Sequence, residues 1–288
     1  MIPSTFEYFA PATVSEAAEL LQRHGESAKL LAGGHSLVPL MKLRLARPQV
    51  LIDLGKIDSM AYIREKSGGL AIGAMTRYAE IEISDLVRSR APALAEAAGM
   101  VADPQVRNMG TLGGNLAHAD PSSDLPAVAL ALGAQLVVSS TGDHRTIDSD
   151  DFFVDLLTTS LAPTEILSEI VVPALAPGTG TAYVKFGNKA SHHAVVGVAA
   201  VVTLGPDGVC QRARIGVTGA GSKAVRATGS EGMLEGTNLD DAVIAGAAQE
   251  AGSGIDFNAD IHASAQYRAH LTTVYADRAI RAAISRAR

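Results

Sequence analysis

The sequence predicts an α+β protein of two domains, and three observations carry that expectation. Short apolar runs of strand length alternate with Ala-rich helical stretches through the first part of the chain. A stretch at 174–180 containing Pro177, Gly178 and Gly180 then interrupts the pattern as a linker. Beyond it come three strand-like runs followed by two helical ones, the order of a small α+β domain. With 288 residues there is material for two cores, so the expected domains are 1–176 and 177–288.

Each element has a local reason. Thr13-Val-Ser-Glu16 is a capping-box pattern, and Ala17, Leu20 and Leu21 follow at helical spacing until Gly25. Lys29 to Ala32 and Val50 to Leu54 read as strands, as does Leu70 to Gly73. Thr76 is expected to cap a helix carrying Ile81. Pro92 to Met100 is Ala-rich and helical, and Ala102-Asp103-Pro104 breaks it. Pro121-Ser-Ser-Asp124 opens a helix through Leu132, which leads into a strand at 134–139. Glu165 to Pro173 reads as the last strand of the first domain. In the second domain the strands are Ala182 to Phe186, Ala194 to Leu204 and Ala213 to Thr218, with Gly205-Pro-Asp-Gly208 as a hairpin turn. The helices are Asp240 to Ala251 and about Ser264 to Arg286.

Composition narrows the function. Hydrophobic content of 47% against 19% charged describes a folded globular chain. The formal net charge of −6 is spread without a Lys/Arg cluster, which argues against nucleic acid as a partner. Cys210 is the only cysteine, so disulfides, Cys-based zinc sites and iron–sulfur clusters cannot be built within this chain. The start, Met1 to Glu7, has no basic segment followed by an apolar one, and the longest apolar run, Ala194 to Leu204, is far short of the ~20 residues that span a bilayer. The expected location is therefore cytoplasmic.

Two glycine-rich turns carry the chemistry: Leu31-Ala32-Gly33-Gly34-His35-Ser36 and Gly110-Thr111-Leu112-Gly113-Gly114-Asn115. Each joins adjacent glycines to a hydroxyl side chain, so backbone N–H groups can converge on an anion with no Cβ in the way. Two loops can approach a diphosphate from opposite sides, an arrangement suited to an extended dinucleotide. Ser36 and Thr111 add hydroxyls and Asn115 an amide. Both could equally be tight turns with glycine at positive φ. The strand-to-helix fingerprint G-x-G-x-x-G and the P-loop GxxxxGK[ST] are absent. Gly216-Val-Thr-Gly-Ala-Gly221-Ser222-Lys223 approaches the P-loop spacing but reverses the Lys and hydroxyl order, and is read as a decoy.

The turns Ala32-Gly-Gly-His-Ser36 and Thr111-Leu-Gly-Gly-Asn115, with Ala102-Asp-Pro-Gln-Val-Arg107 and Ser123-Asp124-Leu125-Pro126, resemble the FAD-binding medium subunit of the molybdenum hydroxylases. Within that family the similarity is greatest to the aerobic carbon monoxide dehydrogenases, and it extends from Ile2-Pro3 to Gln266-Tyr267-Arg268. The resemblance implies an FAD-binding domain of the vanillyl-alcohol-oxidase (PCMH) type in two α+β subdomains, followed by a small α+β C-terminal domain. It implies partners as well: a large subunit with a molybdopterin–cytosine dinucleotide, a small subunit with two [2Fe–2S] clusters, and a dimer of such heterotrimers. Electrons would reach the FAD of this chain last and leave to a quinone or another external acceptor. Any contact with the inner face of the cell membrane would run through partners.

Carried over residue by residue, Ala32, Gly33, Gly34, His35 and Ser36 match the first FAD loop, and Thr111, Leu112, Gly113, Gly114 and Asn115 the second. Asp124 matches a carboxylate that holds a polar part of the FAD; its alternative role is a first-turn aspartate favoured by the helix dipole. Leu167 and Lys185 match positions that meet the flavin, by packing and by charge, against the alternatives of a core leucine and a solvated lysine. His192-His193 departs from the Gly-Asp-Tyr of the closest pattern, whose aromatic shields the isoalloxazine, and puts His193 in that place. Arg107 would approach the flavin or a partner, or form a surface ion pair. No catalytic acid, base or nucleophile and no metal ligand is assigned. The expected function is an FAD-binding electron-transfer subunit of a carbon monoxide dehydrogenase. The alternatives are the same role for an aldehyde, purine or N-heterocycle hydroxylase, and a stand-alone FAD oxidase.

Overall fold

The computed structural model describes residues 2–287. A three-stranded parallel sheet comes first, made of β1 (Glu7–Phe9), β2 (Ala28–Leu31) and β3 (Val50–Asp53) in the order β1-β3-β2. Helix α1 (Val14–His24) joins β1 to β2, and α2 (Leu37–Lys42) follows β2. The capping box is half realised. Thr13 Oγ1 accepts the Glu16 amide, but the Glu16 carboxylate takes the amide of Ala12 and not that of Thr13. Because β2 and β3 run parallel, the first glycine turn leaves the carboxyl end of β2, where parallel sheets present their ligand crevices.

The second subdomain is built on an antiparallel sheet. Its strands are β4 (Ile63–Lys66), β5 (Gly69–Gly73), β6 (Gln135–Ser140), β7 (Asp143–Asp148) and, after a small hairpin of β8 (Phe153–Asp155) and β9 (Thr158–Thr159), β10 (Ile166–Val172). The order is β4-β5-β10-β6-β7, with every pairing antiparallel. Between β5 and β6 lie α3 (Tyr78–Ile83), α4 (Asp85–Arg90), α5 (Pro92–Met100), α6 (Pro104–Arg107), α7 (Leu112–His118) and α8 (Asp124–Leu132); α9 (Ser149–Phe152) follows β7. Thr76 does not cap α3. Its hydroxyl is taken by the backbone of Tyr62, accepting from the amide and donating to the carbonyl, and the Glu80 carboxylate caps the helix through the Arg77 amide at 2.8 Å. Asp103, expected only to end a helix, caps α6 through the Val106 amide.

The C-terminal part is a four-stranded antiparallel sheet, β11 (Thr179–Gly187), β12 (Ala194–Leu204), β13 (Cys210–Thr218) and β14 (Val225–Arg226), followed by α10 (Thr228–Leu234), α11 (Asp241–Glu250) and α12 (Ala265–Ala287). The apolar run Ala194–Leu204 is explained by its place. Helix α12 covers one face of β12 and α8 packs near the other, so almost every residue of the strand is buried. One core, shared by the first two subdomains, takes in Tyr183, Ala199 and Val201 from the C-terminal sheet; a second lies between that sheet and α10–α12. The chain is thus α+β throughout, and the C-terminal sheet is joined to the preceding part through α8, which packs on β12 and β13. No helix among the described residues is long and apolar enough to cross a membrane.

Candidate cofactor site

The two glycine turns meet. A Cβ on Gly33 would lie 2.2 Å from the Met109 carbonyl oxygen and 2.7 Å from Gly110 Cα, and one on Gly114 would lie 3.2 Å from Ala32 Cβ. Only glycine lets two backbones pass this closely. Together they line a cleft of about 490 Å³. Ala32, Gly33, Gly34, His35 and Ser36 form one side, Gly110, Thr111, Gly113, Gly114 and Asn115 another, and Leu161, Ala162, Pro163, Glu165, Ile166 and Leu167 a third.

The turns divide the work in a way the sequence does not disclose. In the first, the amides of Gly33, Gly34, His35 and Ser36 have no acceptor among the described residues, so four consecutive donors are free at the cleft. In the second, all but the Thr111 amide are spent on the protein: Leu112 donates to the Thr76 carbonyl, Gly113 to the Ala74 carbonyl at 2.8 Å, and Gly114 to Thr111 Oγ1. The second turn is therefore a rigid platform at the start of α7, and the expectation that both turns present main-chain donors alike is corrected on this point. Its remaining ligand-facing groups are the Thr111 amide and side chains. Ser123 Oγ donates to Asn115 Oδ1 at 2.6 Å, which leaves the two protons of the Asn115 amide nitrogen for the Tyr78 hydroxyl and a cleft ligand.

The remaining lining is apolar with few charges. Leu30, Leu54, Met60, Met75, Leu161 and Leu167 suit a flat, largely apolar ring system, while Lys29 adds a cation. Tyr78, which sequence reasoning missed, is buried beneath the second turn, and burial pushes its hydroxyl up to about 12. No sequence signal marks it, because its neighbour Gly110 lies far along the chain. Glu165 is the one carboxylate on the lining, and it is neutralised: Arg145 Nε and Nη2 hold its two oxygens at 2.6 and 2.7 Å, and the Ala162 amide donates to it. The hydrogen bonds from Arg145 hold the Glu165 carboxyl below its ordinary value of 4.5. A carboxyl depressed by folding adds stability above about pH 4.5, and that stability fades as pH falls through the lower folded value. Arg145→Ala is expected to flatten this acid-side loss, which thermal melts from pH 6 to pH 3 would show as about a 1–2 °C smaller drop.

Four sequence-derived site residues do not line the cleft. Leu112 is buried behind it. Asp124, Lys185 and His193 belong to a cluster between the domains. The Lys185 ammonium donates to Asp124 Oδ2 at 3.0 Å, to the Met100 carbonyl at 2.7 Å and to the His192 carbonyl at 2.8 Å, so its three protons are all placed. Tyr183 Oη donates to Asp124 Oδ1 at 2.5 Å. Burial pushes the Asp124 carboxyl above its ordinary value, against the pull of Lys185 and Tyr183. His193 is exposed at the rim of this cluster. Arg107 forms the ion pair, with Glu82 at 2.9 Å, and reaches the Val101 carbonyl.

A cleft that joins four unpartnered amides and an absent Cβ to an apolar wall defines a protein built for a large anionic cofactor with a flat ring, a flavin nucleotide. The comparisons agree. Residues 4–175 match the FAD binding domain in molybdopterin dehydrogenase, and residues 181–283 match the CO dehydrogenase flavoprotein C-terminal domain. The chain is 41% identical over 286 residues to the carbon monoxide dehydrogenase medium chain of Hydrogenophaga pseudoflava, covering 99% of both chains. It is 40% identical over 288 residues to the 6-hydroxypseudooxynicotine dehydrogenase complex subunit alpha of Paenarthrobacter nicotinovorans, covering 100% of this chain and 97% of the other. A solved carbon monoxide dehydrogenase from Hydrogenophaga pseudoflava superposes with a TM-score of 0.96 at 42% identity, over 99% of each chain. The chain belongs to the FAD-binding flavoprotein family of the molybdopterin dehydrogenases, and FAD is its cofactor.

Proposed function

We propose that this chain is the FAD-binding electron-transfer subunit of a molybdenum hydroxylase, most similar to aerobic carbon monoxide dehydrogenase. Its partners are a large subunit with a molybdopterin–cytosine dinucleotide and a small subunit with two [2Fe–2S] clusters, in a dimer of heterotrimers. Electrons enter from the iron–sulfur subunit and leave to a quinone or another external acceptor. The complex is cytoplasmic, with any membrane contact made by partners. Residues 1–176 form the FAD-binding domain and 177–288 the C-terminal domain.

The observation that carries this reading is the run of four free amides at Gly33–Ser36 facing the second turn across one cleft. These amides, with the hydroxyls of Ser36 and Thr111 and the Asn115 amide, hold the diphosphate, while Ala32 and Leu167 pack on the cofactor. Gly113, Gly114 and Leu112 fix the platform. Asp124, Lys185 and His193 act at the far end, where Asp124 directly follows Ser123, whose hydroxyl holds Asn115 Oδ1. Bound FAD supplies the redox chemistry, and the chain supplies orientation and a water-poor wall. The purified chain is expected to retain one FAD per polypeptide through gel filtration, read from flavin absorbance; a chain that folds but retains none overturns the reading.

The near-equal similarity to the relative named for 6-hydroxypseudooxynicotine supports a second substrate class, an N-heterocyclic compound, for the same electron-transfer role. Dye reduction by the purified complex, with carbon monoxide in one assay and an N-heterocycle in another, separates the two.

A further inference from the structure

We infer that the hairpin of β8 and β9 is a clasp on the bound flavin nucleotide, with Leu157 as its contact and Lys223, from the C-terminal domain, as its brace. The inference rests on the cleft being the FAD site. Three features point to it. The turn between the strands is Leu156-Leu157, and both side chains are half exposed, at 54% and 51%. Leu157 has φ 51°, a conformation that glycine or asparagine occupies at low cost and leucine does not. Leu157 nevertheless lines the cofactor cleft, together with Thr159 of the same hairpin.

A strained, solvent-exposed leucine gains from a partner that covers it. Leu157 faces the cleft, so the occupant is the cofactor, and its side chain packs on an apolar part of it. A two-stranded hairpin this short is not stable alone and needs an external anchor. Lys223 provides one. It belongs to the segment read above as a P-loop decoy, and its ammonium donates to the carbonyls of Phe153 at 3.1 Å and Val154 at 2.8 Å. Phe153 in turn pairs with Thr159. The chain of contacts therefore runs from the β13–β14 connection through the hairpin to the cleft wall. Lys223 is a positioning residue that touches no cofactor.

FAD binding to the full-length chain, measured by titrating apoprotein and following flavin fluorescence, tests both roles. Leu157→Asn removes the apolar contact while accepting φ near 51°, so FAD should bind about tenfold more weakly while the apoprotein melts no lower than the parent. Leu156→Ser, one residue away and off the lining, should bind as the parent does. Lys223→Ala should weaken FAD about three- to tenfold, and Lys223→Arg, which can still donate to both carbonyls, should restore it. FAD affinity unchanged in L157N, or reduced only in step with a lower melting temperature, overturns the clasp. Equal affinity in parent and K223A, or no recovery in K223R, overturns the brace. Failure of the parent chain itself to bind FAD would strike the cofactor assignment and not the clasp alone.

Discussion

Gly33→Ala is expected to abolish tight FAD binding, with an affinity loss of about a hundredfold or more, while its neighbour Gly34→Ala should cost far less. The new Cβ at position 33 would stand 2.2 Å from a carbonyl oxygen and 2.8 Å from the carbon that bears it, both backbone atoms of Met109. No side-chain rotation relieves that overlap, so the two turns must part. Parting them moves the free amides of Gly33–Ser36 away from the platform of the second turn. Losing two such donors to an anion, at ~1.5–3 kcal/mol each, accounts for the expected magnitude. At Gly34 the cost is different in kind. Its φ of 76° disfavours alanine by about 1–2 kcal/mol, but the nearest atom to an added Cβ is a Val38 methyl at 3.2 Å, which can yield. Titration of each apoprotein with FAD gives the comparison, and far-UV circular dichroism confirms that the fold persists. Equal losses for the two variants would refute the argument that the turns must touch.

Lys185→Met is expected to destabilise the fold by about 3–5 kcal/mol, the cost of leaving a buried carboxylate without its counter-charge. Both side chains of the Lys185–Asp124 pair are almost wholly buried, so solvent screens little of the interaction. Two further acceptors, the carbonyls of Met100 and His192, also lose their donor. The loss has a pH signature. With Lys185 gone, burial is opposed only by the Tyr183 hydrogen bond and the nearby His193, and the folded-state value of Asp124 rises further above 3.8. A carboxyl raised by folding carries no penalty below its unfolded value, and the penalty accumulates as pH rises toward the folded value. The deficit of Lys185→Met should thus be smallest near pH 4 and grow toward neutrality, and Asp124→Asn in the same chain should recover much of it. Urea melts across that range supply the measurement; a deficit independent of pH would mean that lost packing, not unpaired charge, dominates.

Much of the fold is legible locally. The helices α1, α5, α8, α11 and α12 and the strands β3, β5, β6, β10, β12 and β13 follow from spacing, caps and β-branched runs. The elements missed are short or solvated: β7 has five exposed residues in six, α2 and α6 are four to six residues long, and β8 and β9 are brief. Such segments bury too little to leave a periodic trace and are held by tertiary contacts. Thr76 shows the same limit, since a hydroxyl that could cap a helix was claimed by a backbone distant in sequence.

What the sequence by itself determined was the pair of glycine turns and the family they belong to, because close backbone approach demands glycine and leaves a mark at the positions themselves. Only the tertiary structure decided which turn keeps its amides free and which spends them, since that depends on the carbonyls of Ala74 and Thr76 arriving from another strand end. It also decided that Lys185 and Asp124 pair with each other between the domains, and that Lys223 braces a hairpin. Hydrogen bonds of this kind are settled by which groups packing brings within about 3 Å, a distance no spacing along the chain encodes.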